Sequence, residues 1–231
     1  MYINFKSAIS MNLCEEIIEL SKIKTFDDVK SKELHFSRKG RYAFENAENG
    51  RDLLKRILKS LKENTTLLDY YETPVVHHTF LLIKMPHGVP TRLHQDRPYW
   101  IEIKDEPASM LTAWFALEYI DSNNGCLRLN KTSMVDTVDL LNTNPIHFDH
   151  MDDEYTKEQA ALTITPNLQQ RILNQFDDIN CAPGDLVVFD AFEPHCAAGN
   201  NTNSPRMAFK IVFGEKNKLG TYYDEVKSFI N

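Results

Sequence analysis

The sequence predicts a mainly β fold with flanking helices, a sandwich or barrel core, on three observations. From Pro74 onward, short runs rich in β-branched and aromatic residues succeed one another: "VVHHTFLLIKM", "MLTAWFALEYI", "CLRL", "DLVVF" and "RMAFKIVFG". Between them stand "PHG", "SNNG", "APGD" and "NNTNSP", whose Gly, Pro and Asn content ends strands and reverses the chain. Before Pro74, apolar residues recur instead at helical spacing. Evenly punctuated strands pack as a sandwich or close into a barrel, and amphipathic helices then lie on the outside.

Taken in order, residues 8–22 place Ile9, Leu13, Ile17 and Leu20 on one helical face. Residues 50–64, "GRDLLKRILKSLKEN", do the same with Leu53, Leu54, Ile57, Leu58 and Leu61. These helices are expected to form an N-terminal support over about residues 1–73, with the β-core over about 74–215. The stretch 136–170, containing "HFDHMDDEYTKEQAAL", reads as a polar, partly helical insertion, and "YYDEVKSFI" as a last short helix. With no internal repeat, low-complexity tract or linker, the 231 residues are expected to form one domain.

Composition narrows the function classes. Hydrophobic residues make up 42% and charged residues 26%, the balance of a soluble globular domain. The formal net charge of −7, with basic residues scattered, argues against nucleic acid or an anionic membrane as partner. The first twenty residues lack an apolar signal core, and no run reaches the length of a membrane-spanning helix. Cys14, Cys126, Cys181 and Cys196 show no Cys-x-x-Cys pairing. They read as reduced thiols of a cytoplasmic protein.

The chemistry begins at "RLHQDRPYW", residues 92–100. In a strand, residues i and i+2 point to the same side, so His94 and Asp96 converge while Gln95 turns away. A third donor is expected from His195, just beyond the "GDLVVF" strand. Two imidazoles and one carboxylate on one face of an ion leave three positions open, the arrangement of non-haem Fe(II) sites that take a co-substrate and dioxygen. Arg206 heads the last strand. There Met207, Phe209, Ile211 and Phe213 form one apolar face, and Arg206, Ala208 and Lys210 share the other. An arginine sent inward needs an anion, and its planar fork grips a carboxylate in bidentate fashion. A dicarboxylate that chelates iron at one end and meets an arginine at the other is 2-oxoglutarate.

Other candidates are weaker by context. A second His-x-Asp, His147 and Asp149, sits in the polar insertion without flanking strands and reads as an acidic loop or lid. His77 and His78, adjacent on a strand, are expected to face opposite ways, each packed or on the rim. Arg97, Tyr99 and Trp100 follow Asp96 directly and, with Lys210 on the inner face, are expected to line the substrate mouth. Cys196, next to His195, should point away from the metal into the core.

The ordered set "HQDRPYW", "AWFALEYIDSNNGCL", "APGDLVVFDAFEPH" and "NSPRMAF" resembles the phytanoyl-CoA dioxygenase family of Fe(II)/2-oxoglutarate oxygenases, over roughly residues 75–215. The resemblance implies a double-stranded β-helix, the cupin-like jelly-roll. By the same resemblance His94, Asp96 and His195 would be the iron ligands, Arg206 would bind the distal carboxylate of 2-oxoglutarate, and Trp114 would line the co-substrate pocket. The implied reaction is hydroxylation of an unactivated C–H bond, releasing succinate and CO2; desaturation and cyclisation belong to the same repertoire. Related halogenases replace the carboxylate ligand with a small residue, so Asp96 favours hydroxylation. After "NGCL" the family continues with a proline-glycine-serine-histidine turn, whereas this chain has "RLNKTSM". With little chain available for lids over a coenzyme A thioester, a small metabolite is the expected substrate. The rival classes are a zinc-dependent hydrolase or isomerase with the same three ligands, and an inactive binding module of this fold.

Overall fold

The computed structural model describes residues 2–25, 34–36, 50–96, 110–131, 150–152, 162–218 and 224–230. Its strands are β1 (Tyr2–Phe5), β2 (Leu34–Phe36), β3 (Pro74–Lys84), β4 (Thr91–His94), β5 (Met110–Ala116), β6 (Leu127–Asn130), β7 (His150–Asp152), β8 (Leu162–Ile164), β9 (Phe176–Ile179), β10 (Leu186–Asp190), β11 (His195–Ala197), β12 (Arg206–Glu215) and β13 (Asp224–Glu225). The α-helices are α1 (Met11–Thr25), α2 (Gly50–Asn64), α3 (Pro166–Ile172) and α4 (Lys227–Ile230).

Two antiparallel sheets carry the fold. The larger has seven strands in the order β1-β10-β5-β12-β3-β13, with β2 also paired to β3; the smaller has the order β4-β11-β6-β9. Side chains alternate across each strand, and that alternation divides the apolar residues into two layers. Leu111, Ala113, Phe115, Leu186, Val188, Met207, Phe209, Ile211 and Phe213 face outward from the large sheet, where Leu13 and Ile17 of α1 and the expected stripe of α2 cover them. All five of the α2 residues Leu53, Leu54, Ile57, Leu58 and Leu61 are buried. Each such side chain, fully withdrawn from water, contributes about 1.5–3 kcal/mol. The opposite face of the same strands, with Trp114, Ala116, Val187, Phe189 and Ala208, packs on Leu127, Leu129 and Ile179 of the small sheet. This is the jelly-roll the sequence led one to expect.

Three local results depart from the sequence reading. The N-terminal 73 residues are not wholly helical: β1 extends the large sheet through pairing of Tyr2 with Phe189 and Phe5 with Leu186, and β2 pairs with β3. In β3 the pairing with β12 shifts between Val212 and Phe213, which face His78 and Val76. His77 is thus the extra residue of a bulge. His77 and His78 therefore do not simply face opposite ways; their rings meet edge to face with centroids 4.1 Å apart. Of the expected 136–170 insertion, the described parts are a β7–β8 pair and the start of α3.

All four cysteines are free and buried. Among the described residues no helix is long and apolar enough to cross a membrane.

Candidate metal centre

The backbone brings His94 and His195 together by strand pairing: they are direct partners in the β4–β11 ladder. Their rings lie with centroids 4.1 Å apart. Asp96 follows β4 by two residues and turns to the same side. Its Oδ1 stands 4.0 Å from His94 Nε2 and 3.8 Å from His195 Nε2. The three ligand atoms all fall within 4.8 Å of one another, and all three residues are buried. Gln95 turns away as expected and donates to the Phe192 carbonyl.

Local hydrogen bonds set each donor. His94 Nδ1 donates to the Arg92 carbonyl and His195 Nδ1 to the Glu193 carbonyl, each at 2.9 Å. A carbonyl can only accept, so both rings carry a proton on Nδ1 and turn Nε2 toward Asp96. Burial keeps His195 neutral, with the neighbouring His94 adding to the effect; its pKa is pushed down to about 3 despite Asp96. Burial alone would raise the Asp96 carboxyl, but the Lys210 ammonium bonded to it leads the groups that outweigh burial and hold it well below the usual carboxylate range. A neutral imidazole at His195 and an ionised carboxylate at Asp96 are protonation states that metal binding requires.

The second half of the site lies on the large sheet. Arg206 is buried at the head of β12, on the inward face with Ala208. Its Nη2 donates to the Gly125 carbonyl at 2.9 Å, while Nε and Nη1 are buried with no hydrogen-bond partner among the described residues. Burial draws its pKa down to about 10. Lys84, its partner in the β3–β12 register, is committed elsewhere: Nζ donates to the Val89 carbonyl at 3.1 Å, Thr91 Oγ1 at 3.3 Å and the Ala198 carbonyl at 2.8 Å. The guanidinium is thus the cation with N–H groups to spare, and burying such donors unsatisfied is costly. Trp114 packs beside it, with the guanidinium carbon 5.9 Å from the ring centroid. A carboxylate-ended co-substrate fits both the orphaned donors and the aromatic wall.

Lys210 lies on the inner face, where Nζ donates to Asp96 Oδ2 at 2.6 Å. Thr112, which sequence reasoning missed, donates to the same oxygen at 3.0 Å. Its inward parity with Trp114 in "MLTAWFA" was the available signal. Cys196 packs in the core with Leu93, Ile164 and Phe176. Arg97, Tyr99 and Trp100, and the second pair His147 and Asp149, lie outside the described residues.

Two facing antiparallel sheets with two histidines and a carboxylate gathered between them define a cupin-like, metal-dependent class of protein. The phytanoyl-CoA dioxygenase (PhyH) family model matches residues 18–208, and the chain belongs to that family. Solved structures of the same fold include EvdO2 from Micromonospora carbonacea var. aurantiaca complexed with 2-oxoglutarate: 16% identity, TM-score 0.62, covering 100% of this chain and 92% of that one. The carbocyclase SnoK from nogalamycin biosynthesis is 18% identical with a TM-score of 0.57, covering 93% and 79%. EctD from S. alaskensis with 2-oxoglutarate and 5-hydroxyectoine is 15% identical with a TM-score of 0.55, covering 94% and 73%. At these identities the likeness is one of fold. No curated protein sequence matches the chain. Family and donor set together bear out the cofactors expected from the sequence: iron, 2-oxoglutarate and dioxygen.

Proposed function

We propose that this protein is an Fe(II)- and 2-oxoglutarate-dependent oxygenase that hydroxylates an unactivated C–H bond of a small metabolite in the cytoplasm. One observation carries the reading beyond a generic metal site: the buried Arg206 guanidinium with two N–H-bearing nitrogens left over. Zinc hydrolysis has no use for such a group. A dicarboxylate co-substrate supplies the anion it lacks.

In this reading His94, Asp96 and His195 hold the iron, and Arg206 takes the distal carboxylate of 2-oxoglutarate as a bidentate fork. When bound, iron with 2-oxoglutarate supplies the activation of dioxygen and the oxidation of a C–H bond, with succinate and CO2 as co-products. The protein's part is placement. The Nδ1 bonds of both histidines keep their Nε2 atoms aimed inward, the Trp114 ring walls the co-substrate, and the packed layer between the sheets keeps bulk water out. Asp96 occupies the ligand position with a carboxylate, which favours hydroxylation over halogenation. Arg97, Tyr99 and Trp100 remain the proposed lining of the substrate mouth, by adjacency to Asp96. The net charge of −7 supports a substrate that is not a polyanion.

The test is anaerobic protein with Fe(II) and 2-oxoglutarate, watched for the visible charge-transfer band of the chelate. The loaded protein is then screened against metabolite pools for substrate-triggered loss of the band in air. A protein that forms no band overturns the proposal. Tight zinc binding with hydrolysis of a test ester would favour the rival class.

A further inference from the structure

Asp96 presents its two oxygens to two different sets of partners. Oδ1 faces His195 Nε2 at 3.8 Å and His94 Nε2 at 4.0 Å. Oδ2 accepts Lys210 Nζ at 2.6 Å and Thr112 Oγ1 at 3.0 Å. The histidines belong to the small sheet and the two donors to the large one. Thr112 and Lys210 sit on adjacent strands, β5 and β12, two register steps apart, since Thr112 pairs with Val212 and Trp114 with Lys210. The lysine stem is confined between its cross-strand partners Phe80 and Trp114. Its ammonium lies 5.6 Å from the Phe80 ring centroid, and its side chain is 13% exposed. This is a buried, doubly donated carboxylate oxygen, and charge-assisted bonds of this kind are the strong ones.

The count of carboxylate oxygens matters at a six-position ion. Two histidines take two positions and a chelating 2-oxo acid takes two more. A carboxylate bound through one oxygen leaves one place for dioxygen; bound through both, it leaves none. We propose that Lys210, supported by Thr112, is a positioning residue that restricts Asp96 to a single oxygen toward the metal and so keeps the gas-binding place open. The proposal rests on the iron and 2-oxoglutarate reading above. A lysine that merely paired with a buried charge would affect folding and metal retention, and would leave binding of a gas to the loaded centre unchanged.

The experiment uses nitric oxide as a non-reacting probe of the open place. Wild type, K210M, K210R and T112V are loaded anaerobically with Fe(II) and 2-oxoglutarate. Nitric oxide is then titrated while the iron–nitrosyl electron paramagnetic resonance signal is read. All four proteins are expected to develop the chelate's visible band. K210M should bind nitric oxide at least ~10-fold more weakly, in line with losses seen when groups around metal ligands are removed. K210R should restore most of the affinity, and T112V should show a smaller loss of the same sign. Unchanged nitric oxide affinity in K210M overturns the proposal. If K210M fails to fold, unchanged affinity in T112V overturns it equally. A missing visible band in wild type strikes the underlying oxygenase reading instead, and is told apart because it precedes any substitution.

Discussion

His195 stands directly across from His94 in the β4–β11 ladder, so two imidazoles remote in sequence are fixed by the same hydrogen-bond register that builds the sheet. The centre is therefore part of the scaffold. Removing one donor should empty it without unfolding the chain: H94A and D96A are expected to lose Fe(II) and all succinate formation. Metal analysis after dialysis, alongside far-UV circular dichroism, checks this; iron retained at wild-type level by either variant contradicts it.

Arg206 should separate co-substrate binding from metal binding. Truncating one partner of a buried, hydrogen-bonded charge pair costs about 2–5 kcal/mol, so R206A should raise the 2-oxoglutarate requirement by roughly 30-fold or more. Iron content should stay unchanged. R206K, which keeps charge but loses the fork, should fall between. Titration of the visible band with 2-oxoglutarate reads both, and an unaltered midpoint in R206A is the contrary result.

Gly184 sets the turn before β10. Its φ is +86°, and a Cβ there would lie 2.2 Å from the Ile9 carbonyl oxygen. G184A should lose at least ~1–2 kcal/mol from the left-handed backbone alone, plus the displacement of the residues leading into α1. Chemical denaturation measures it. A stability equal to wild type would mean the turn can flip without cost.

Asp185, the next residue, gives a pH-dependent prediction. Burial pushes its carboxyl up, but the Lys6 ammonium and the Ala182 and Ser7 amides outweigh burial and hold it below the ordinary value. Those bonds measure 2.7 Å to Lys6, 3.0 Å to Ala182 and 3.1 Å to Ser7. A depressed folded-state pKa stabilises above the unfolded value, about 3.9, and that stability is lost as pH falls through the lower folded value. D185N should therefore cost about 1–3 kcal/mol at neutral pH. The gap from wild type should narrow as pH drops below about 4. Denaturation curves taken stepwise from pH 7 downward test the sign; a gap that widens in acid refutes it.

The core strands and the donor cluster were legible because both begin from short-range patterns. Alternation along "RMAFKIVFG" separates Arg206, Ala208 and Lys210 from Met207, Phe209 and Ile211 without any partner strand, and His94 and Asp96 converge by parity alone. What escaped the sequence depends on pairing between distant segments. The four residues of β1 carry no turn signal and are recruited by β10 at the far end of the chain. The His77 bulge is one extra residue against β12, invisible until the register is known. Lys210 was assigned to the correct face, yet its contact with Asp96 follows from the reach between two sheets, which no single strand reports.

The centre straddles a seam: its imidazoles hang from the four-stranded sheet, whereas Arg206, Trp114, Thr112 and Lys210 hang from the seven-stranded one. The layer of Leu127, Leu129, Val187 and Phe189 packed in that seam consequently works as a spacer. Its thickness sets the separation between the imidazoles and Arg206, so a methylene added or removed there would shift one half of the centre against the other with none of its polar side chains altered.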